Sequence, residues 1–190
     1  VKILITVDCG TRDVAVVSHA RSLGMDIIIT DHHAVPQVVP EDAIALLNPK
    51  LPGTTYPFAS LSGSGVAFKL LQALTSELFV DQKEQEHILL EYIDLATLGT
   101  IADCMPLIGE NRTIATLGLA RMRHSQSPAI RKLIEDKQIH DRDGDLVGFH
   151  LGPRINAAGR MDTPYKALSM LLSSEDKITP LIDEIELLNT

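Results

Sequence analysis

The chain has 190 residues, 45% of them hydrophobic, enough to bury the core of one domain or of one domain with a short appendage. A formal net charge of −8 excludes a broadly basic nucleic-acid surface but not a nuclease, because carboxylates that hold divalent ions count as negative in a sequence and are neutralised in a working site. The apolar runs have strand length, short of the roughly 20 residues a membrane span needs, and Cys9 and Cys104 read as small buried hydrophobes of a protein kept in a reducing cytoplasm.

Val1-Lys2-Ile3-Leu4-Ile5 lacks the small-residue cleavage site of a signal peptide and reads as the start of a buried strand, an opening expected of a chain cut from something longer. Short β-branched runs over 3–7, 27–30 and 43–47, with a helical pattern over 14–23, predict a parallel sheet with crossover helices. After the turn-rich stretch 48–57, Ser62-Gly63-Ser64-Gly65 leads into Val66-Ala67-Phe68-Lys69-Leu70-Leu71, whose apolar spacing is helical. Further helices are predicted over 64–79, 84–98, 111–123, 128–137, 164–173 and 178–188. The expected fold is therefore α/β, a parallel sheet with flanking helices followed by a mainly helical part and the start of a long exit helix. Asp141-Arg142-Asp143-Gly144-Asp145 reads as an exposed turn; it lacks the glutamate that a calcium loop of EF-hand spacing requires.

In an open parallel sheet, functional groups gather at the carboxyl ends of strands. Here the run Ile3-Leu4-Ile5-Thr6-Val7 ends in Asp8, and Ile27-Ile28-Ile29-Thr30 ends in Asp31-His32-His33. A carboxylate at one tip and two imidazoles at the next are raw material for a divalent-metal site of mixed oxygen and nitrogen ligands, which suits Mn²⁺. Taken singly, Asp8 reads as a cap or turn former, and Asp31-His32-His33 as a metal-ligating pair or a hydrogen-bonded turn. Asp103 is the one charge in the apolar and small stretch 96–107, so it is either paired or metal-bound, or else a helix cap before Pro106. In Gly152-Pro153-Arg154-Ile155-Asn156-Ala157-Ala158-Gly159-Arg160, small residues such as Gly159 let backbone approach a ligand, and Arg154, Asn156 and Arg160 offer planar donors for phosphate. The same composition also suits a tight packing turn between helices.

Val7-Asp8-Cys9-Gly10, Thr30-Asp31-His32-His33, Leu98-Gly99-Thr100-Ile101-Ala102-Asp103 and the Gly152–Arg160 stretch stand in the order and approximate spacing of RecJ-type single-stranded-DNA exonucleases. The chain resembles the DHH phosphoesterase domain of that family over essentially its whole length. The resemblance implies two-metal hydrolysis with Mn²⁺ or Mg²⁺, in which Asp8 bridges two ions and His32 and Asp103 complete one shell. It further implies that His33 faces the substrate phosphate, that Asp31 orients the histidines, and that Arg160, Asn156 and Gly159 bind phosphate. Single-stranded DNA degraded from its 5′ end is the implied substrate, and a helicase or single-strand-binding protein an implied partner.

The family's Asp-x-Asp motif and its Gly-Gly-His domain have no counterpart in this chain. The expectation is a partial DHH domain over 1–175 and the start of a linker helix over 176–190, with little activity of its own. Two rival readings are an oligoribonuclease or cyclic-dinucleotide phosphodiesterase with nearly the same ligands, and an inactive replication scaffold. Retention of Asp8, His32, His33 and Asp103 weighs against the scaffold, which has no need of costly clustered polar groups.

Overall fold

The structure, a computed structural model, describes residues 2–136 and 144–188. Strands β1 (Ile3–Val7), β2 (Asp26–Thr30) and β3 (Ala45–Leu47) form a parallel sheet in the order β1-β2-β3, with α1 (Val14–Ser22) as the crossover between the first two. The register pairs Val7 with Thr30 and Thr30 with Leu47, so the three strands end level with one another. Central β2 is the buried strand: Ile27 and Ile29 are fully enclosed against Val17 and Ala20 of α1. By contrast, β1 has a hydrogen-bonded neighbour on one side only, and Ile3, Ile5 and Val7 stay about half exposed instead of buried as the sequence suggests.

Helix α2 (Gly63–Leu78) packs against β1 and β2 and begins at Ser62, whose hydroxyl accepts from the Gly65 amide at 3.0 Å. Helices α3 (Gln82–Ala102) and α4 (Gly109–Arg121) follow, and α2, α3 and α4 enclose Leu61, Val66, Ile93, Ala96 and Ile114. Helix α3 runs four residues beyond its predicted end and so carries its apolar C-terminal turn up to Asp103. The second helical core is built by α5 (Pro128–Asp136), a π-helical turn over Leu146–Leu151, α6 (Gly152–Met161), α7 (Pro164–Leu171) and α8 (Ile178–Leu188). Ile178, Ile182 and Ile185 place α8 in this core. Of the expected exposed turn, Asp141, Arg142 and Asp143 lie outside the described residues, while Gly144 and Asp145 are already helical.

Close approach of α3 and α4 depends on the missing side chain at Gly118. There the buried Thr97 hydroxyl bridges the carbonyl oxygens of Ile93 and Ile114 at 2.8 and 2.7 Å. A Cβ on Gly118 would be driven into the Thr97 side chain and to 2.7 Å from the Ile93 carbonyl oxygen. Alanine is the better helix former by about 1 kcal/mol, yet overpacking costs about 1–3 kcal/mol. Gly118→Ala is therefore expected to lower the urea midpoint of unfolding; an unchanged or higher midpoint would show that the helices can part without cost.

Candidate metal and phosphate site

Level strand ends set Asp8 and the Asp31-His32-His33 segment side by side. Backbone pairing continues past both strands, with the Asp8 amide donating to Thr30 O at 2.9 Å and the Asp31 amide to Leu47 O at 3.0 Å. Beyond this ladder the chain at Asp8 turns into the left-handed region, with φ of 62°, a conformation that aspartate tolerates better than most residues.

His32 is buried, and its Nδ1 lies 3.0 Å from the Leu61 carbonyl oxygen. A carbonyl can only accept, so Nδ1 carries a proton and Nε2 is the nitrogen turned to the site, where a neutral ring would offer its lone pair to an ion. That nitrogen lies 3.1 Å from Asp8 Oδ1 and 3.5 Å from Asp103 Oδ2. Asp8, His32 and His33 also each offer a ligand atom within 4.8 Å of the others.

Asp31 organises the loop from beneath. Its carboxylate accepts from the amides of Thr11 (3.0 Å), His32 (2.8 Å) and His33 (3.2 Å), and its Oδ1 lies 2.8 Å from His33 Nδ1. Burial alone would raise its pKa, but the hydrogen bonds from Thr11 and His33 outweigh burial and hold it well below the ordinary carboxylate range. Asn48, at the end of β3, donates to Thr11 Oγ1 and to the His33 carbonyl at 3.1 and 3.0 Å, which braces the same loop from the third strand. With Nδ1 of His33 engaged by Asp31, its Nε2 is the nitrogen left to face a substrate.

Asp103 arrives from the helical half. The sequence suggests a buried charge, but Asp103 is the C-cap of α3 and its side chain is 49% exposed, because the helix ends there and the chain turns left-handed at Cys104 (φ 54°). The carboxylate that α3 does bury is Asp94, 1% exposed. Burial raises its pKa against the opposing effects of a Ser125 hydrogen bond and the Arg121 charge. Cys9 and Cys104 are exposed as well, since each follows its aspartate out of the sheet or helix, Cys104 into the cleft beside α6.

Glycine shapes the opening. A Cβ on Gly63 would lie 2.6 Å from the Asp8 Cβ and overlap its carboxylate, so the N-terminus of α2 approaches Asp8 only because no side chain stands there. The resulting pocket of about 300 Å³ is lined by Asp8, Gly63, Ala102, Asp103 and Asn156. A second cleft of about 530 Å³ shares Ala102 and Asn156 with it and extends along α6 to Arg160.

The Gly152–Arg160 stretch is an α-helix whose polar side chains divide between packing and cleft. Arg154 is a packing residue, its side chain 11% exposed, donating to Glu186 Oε1 at 2.6 Å and to the His150 carbonyl at 2.5 Å. Asn156 and Arg160 point the other way, into the cleft. Arg160 makes no hydrogen bond or ion pair with another described residue. Gly159 is exposed, and its open side faces Pro164.

The sequence reading missed the residues that hold these groups in place: the Leu61 carbonyl, Thr11, Asn48 and Ser62. Only Ser62 carries a local signal, a serine before a glycine-rich helix start; the others act through backbone atoms or across the sheet. The donor set of one imidazole lone pair and two carboxylates, with room left by Gly63, fits a divalent cation of the Mn²⁺ or Mg²⁺ type.

Asp31→Asn replaces one acceptor oxygen by a donor that must face an amide or the His33 ring. A loss of about 1–3 kcal/mol in unfolding free energy is expected from the unsatisfied buried groups. Denaturation of both proteins in urea at neutral pH checks this, and equal stabilities would remove Asp31 as the organiser of the loop.

Residues 2–100 match the DHH family, N-terminal domain. The chain is 44% identical over 190 residues to the single-stranded-DNA-specific exonuclease RecJ of Bacillus subtilis (strain 168), covering 98% of this chain and 23% of that protein. RecJ of Escherichia coli (strain K12) is 38% identical over 200 residues, covering 99% of this chain and 34% of that protein. Among solved structures, RecJ of Thermus thermophilus in complex with Mn²⁺ superposes with a TM-score of 0.87 at 35% identity, over 99% of this chain and 28% of that one. A crystal structure of exonuclease RecJ bound to manganese superposes with a TM-score of 0.86 at 35% identity, over 99% of this chain and 46% of that one. The chain thus spans less than half the length of each of these relatives. The match of its first 100 residues and the likeness to RecJ along nearly all of it show that the chain belongs to the DHH family, on its RecJ side.

Proposed function

We propose that this chain is part of a longer exonuclease that hydrolyses single-stranded DNA from the 5′ end with Mn²⁺ or Mg²⁺, and that it contributes metal ligands and the phosphate-binding face. The observation that carries this reading is the convergence of Asp8 and Asp103 on the free Nε2 of His32, beside a cleft that holds Asn156 and Arg160. Relatives named single-stranded-DNA-specific exonucleases, and RecJ structures solved with manganese, support it.

Asp8, His32 and Asp103 would hold one ion, with Asp8 shared by a second. Bound ions supply Lewis-acid stabilisation of the charge that builds at phosphorus and make water a better nucleophile. The Leu61 carbonyl keeps the His32 lone pair aimed at the site, and Asp31 keeps the His33 ring turned so that Nε2 can meet a phosphate oxygen. Arg160 and Asn156 orient the phosphodiester by charge and by planar donors, with no partner among the described residues to compete for Arg160. Residues 176–190 would lead on into a linker helix of the longer protein.

Three outcomes test the assignment. In the longer protein, Asp8→Asn, His32→Ala and Asp103→Asn should each lower kcat on 5′-labelled single-stranded DNA by about 100-fold or more, with chelator abolishing and Mn²⁺ restoring the wild-type rate. The chain alone, assayed beside it, should show little turnover; comparable turnover would mean that these ligands suffice without the rest. Arg160→Ala should reduce kcat/KM by at least about tenfold while leaving the melting temperature within a few degrees, because its lost partner is phosphate and not the core. A large fall in melting temperature with normal activity per folded molecule would make Arg160 a packing residue.

A further inference from the structure

Aromatic rings are scarce in this chain: four Phe, three Tyr and no Trp. Phe58, Phe68 and Tyr56 are tucked against the α2–α4 core. Phe149 is different, with 73% of its surface exposed at the π-helical turn that leads into α6. Tyr165 on α7 is equally exposed, so exposure alone decides nothing and the position of the ring is the informative quantity.

Phe149, Pro153, Asn156 and Arg160 are spaced by four, three and four residues, which puts them on one face of a continuous helical segment. All four are exposed. Pro153, Asn156 and Arg160 line the cleft beside Cys104, and Asn156 also borders the pocket of Asp8 and Asp103. Phe149 lies at the edge of the same cleft, between two residues that line it, Gly148 beside it and Pro153 one turn further on. Gly148, which lines the cleft next to it, has open space where a side chain would stand. Polar donors that hold a phosphodiester at Asn156 and Arg160 would leave the neighbouring base to settle within reach of an uncovered aromatic face.

We propose that Phe149 is a stacking platform for a base of the single strand, next to the phosphate held at Asn156 and Arg160. The inference rests on the single-stranded-DNA reading above and adds a residue that recognises bases without regard to sequence. Stacking on a ring is available to every base, and duplex DNA cannot offer it, because its bases are already stacked on one another. Phe149 thus favours unpaired strands over duplex.

The test uses the longer protein that carries this chain, with an oligonucleotide containing 2-aminopurine near its 5′ end and, separately, the chromogenic diester bis(p-nitrophenyl) phosphate, which has no base. Phe149→Ala should raise KM for the oligonucleotide by at least about tenfold, as loss of one stacked base does, relieve the quenching of 2-aminopurine on binding, and leave turnover of the chromogenic diester and the melting temperature unchanged. Phe149→Trp should retain affinity and quenching, whereas Phe149→Leu should behave like the alanine variant. Tyr92→Ala, on α3 about 16 Å along the helix from Asp103, should change none of these. If wild type binds and cleaves the strand while Phe149→Ala matches it, or if leucine serves as well as tryptophan, the stacking role is overturned alone. If Phe149→Ala loses stability and both activities together, Phe149 is structural and the role is overturned. A wild-type protein that neither binds nor cleaves single strands overturns the proposed function, and this inference with it.

Discussion

The contact from His32 Nδ1 to the Leu61 carbonyl joins the two halves of the site. It links the tip of the central strand to the loop that starts α2, it buries the imidazole, and it decides which nitrogen keeps a lone pair. Without that acceptor the ring could present either nitrogen to Asp8 and Asp103, and the site would lose its single geometry. Ser62, the next residue along, caps α2 and meets the Thr100 hydroxyl at 2.9 Å, so the same loop also ties the start of α2 to the last turn of α3. Asn111 closes the arrangement by donating to Ser60 O and Pro106 O at 2.6 and 3.0 Å, which holds the entry to α2 and the exit of α3 together.

From this join follows a division of labour. The sheet supplies charge and imidazole on short, hydrogen-bonded loops, where Asp31 and Asn48 leave little freedom. The helical half supplies Asp103 at a helix end and the cleft face of α6, whose first residue, Gly152, leaves no room for a side chain because a Cβ there would meet the Val147 carbonyl oxygen at 2.9 Å. Two left-handed residues other than glycine, Asp8 and Cys104, lie next to these junctions. Such backbone is costly and persists where surrounding contacts demand it, which here are the ladder past β1 and the end of α3.

The opposite fates of the acidic residues on α3 show how context sets their cost. Asp94 sits mid-helix, buried against α4, and answers its desolvation with Ser125 and Arg121. Asp103 sits nine residues on, as the cap whose amide donates the closing bond to Gly99 O, and its side chain stays half exposed. An apolar neighbourhood in sequence does not by itself bury a charge; the position relative to the helix end does.

Strands, crossover order and the two charged strand tips were legible in the sequence, because the β-branched runs that end at Asp8 and Asp31 reflect local backbone preference and the parallel rule places their ends together. The metal-ligand candidates Asp8, His32 and Asp103 and the cleft residues Asn156 and Arg160 were legible too, through motif order. Tertiary structure alone decided what positions them. A backbone carbonyl at Leu61 selecting a histidine tautomer, a missing Cβ at Gly63 making room for Asp8, and Arg154 turning inward while Arg160 turns out all depend on which surfaces meet. The half-exposed β1 and the two exposed cysteines were decided the same way, by neighbours in space. Side-chain chemistry and period are written along the chain, whereas burial and the partner of a given atom arise only when distant segments pack, and that is where the geometry of this site is set.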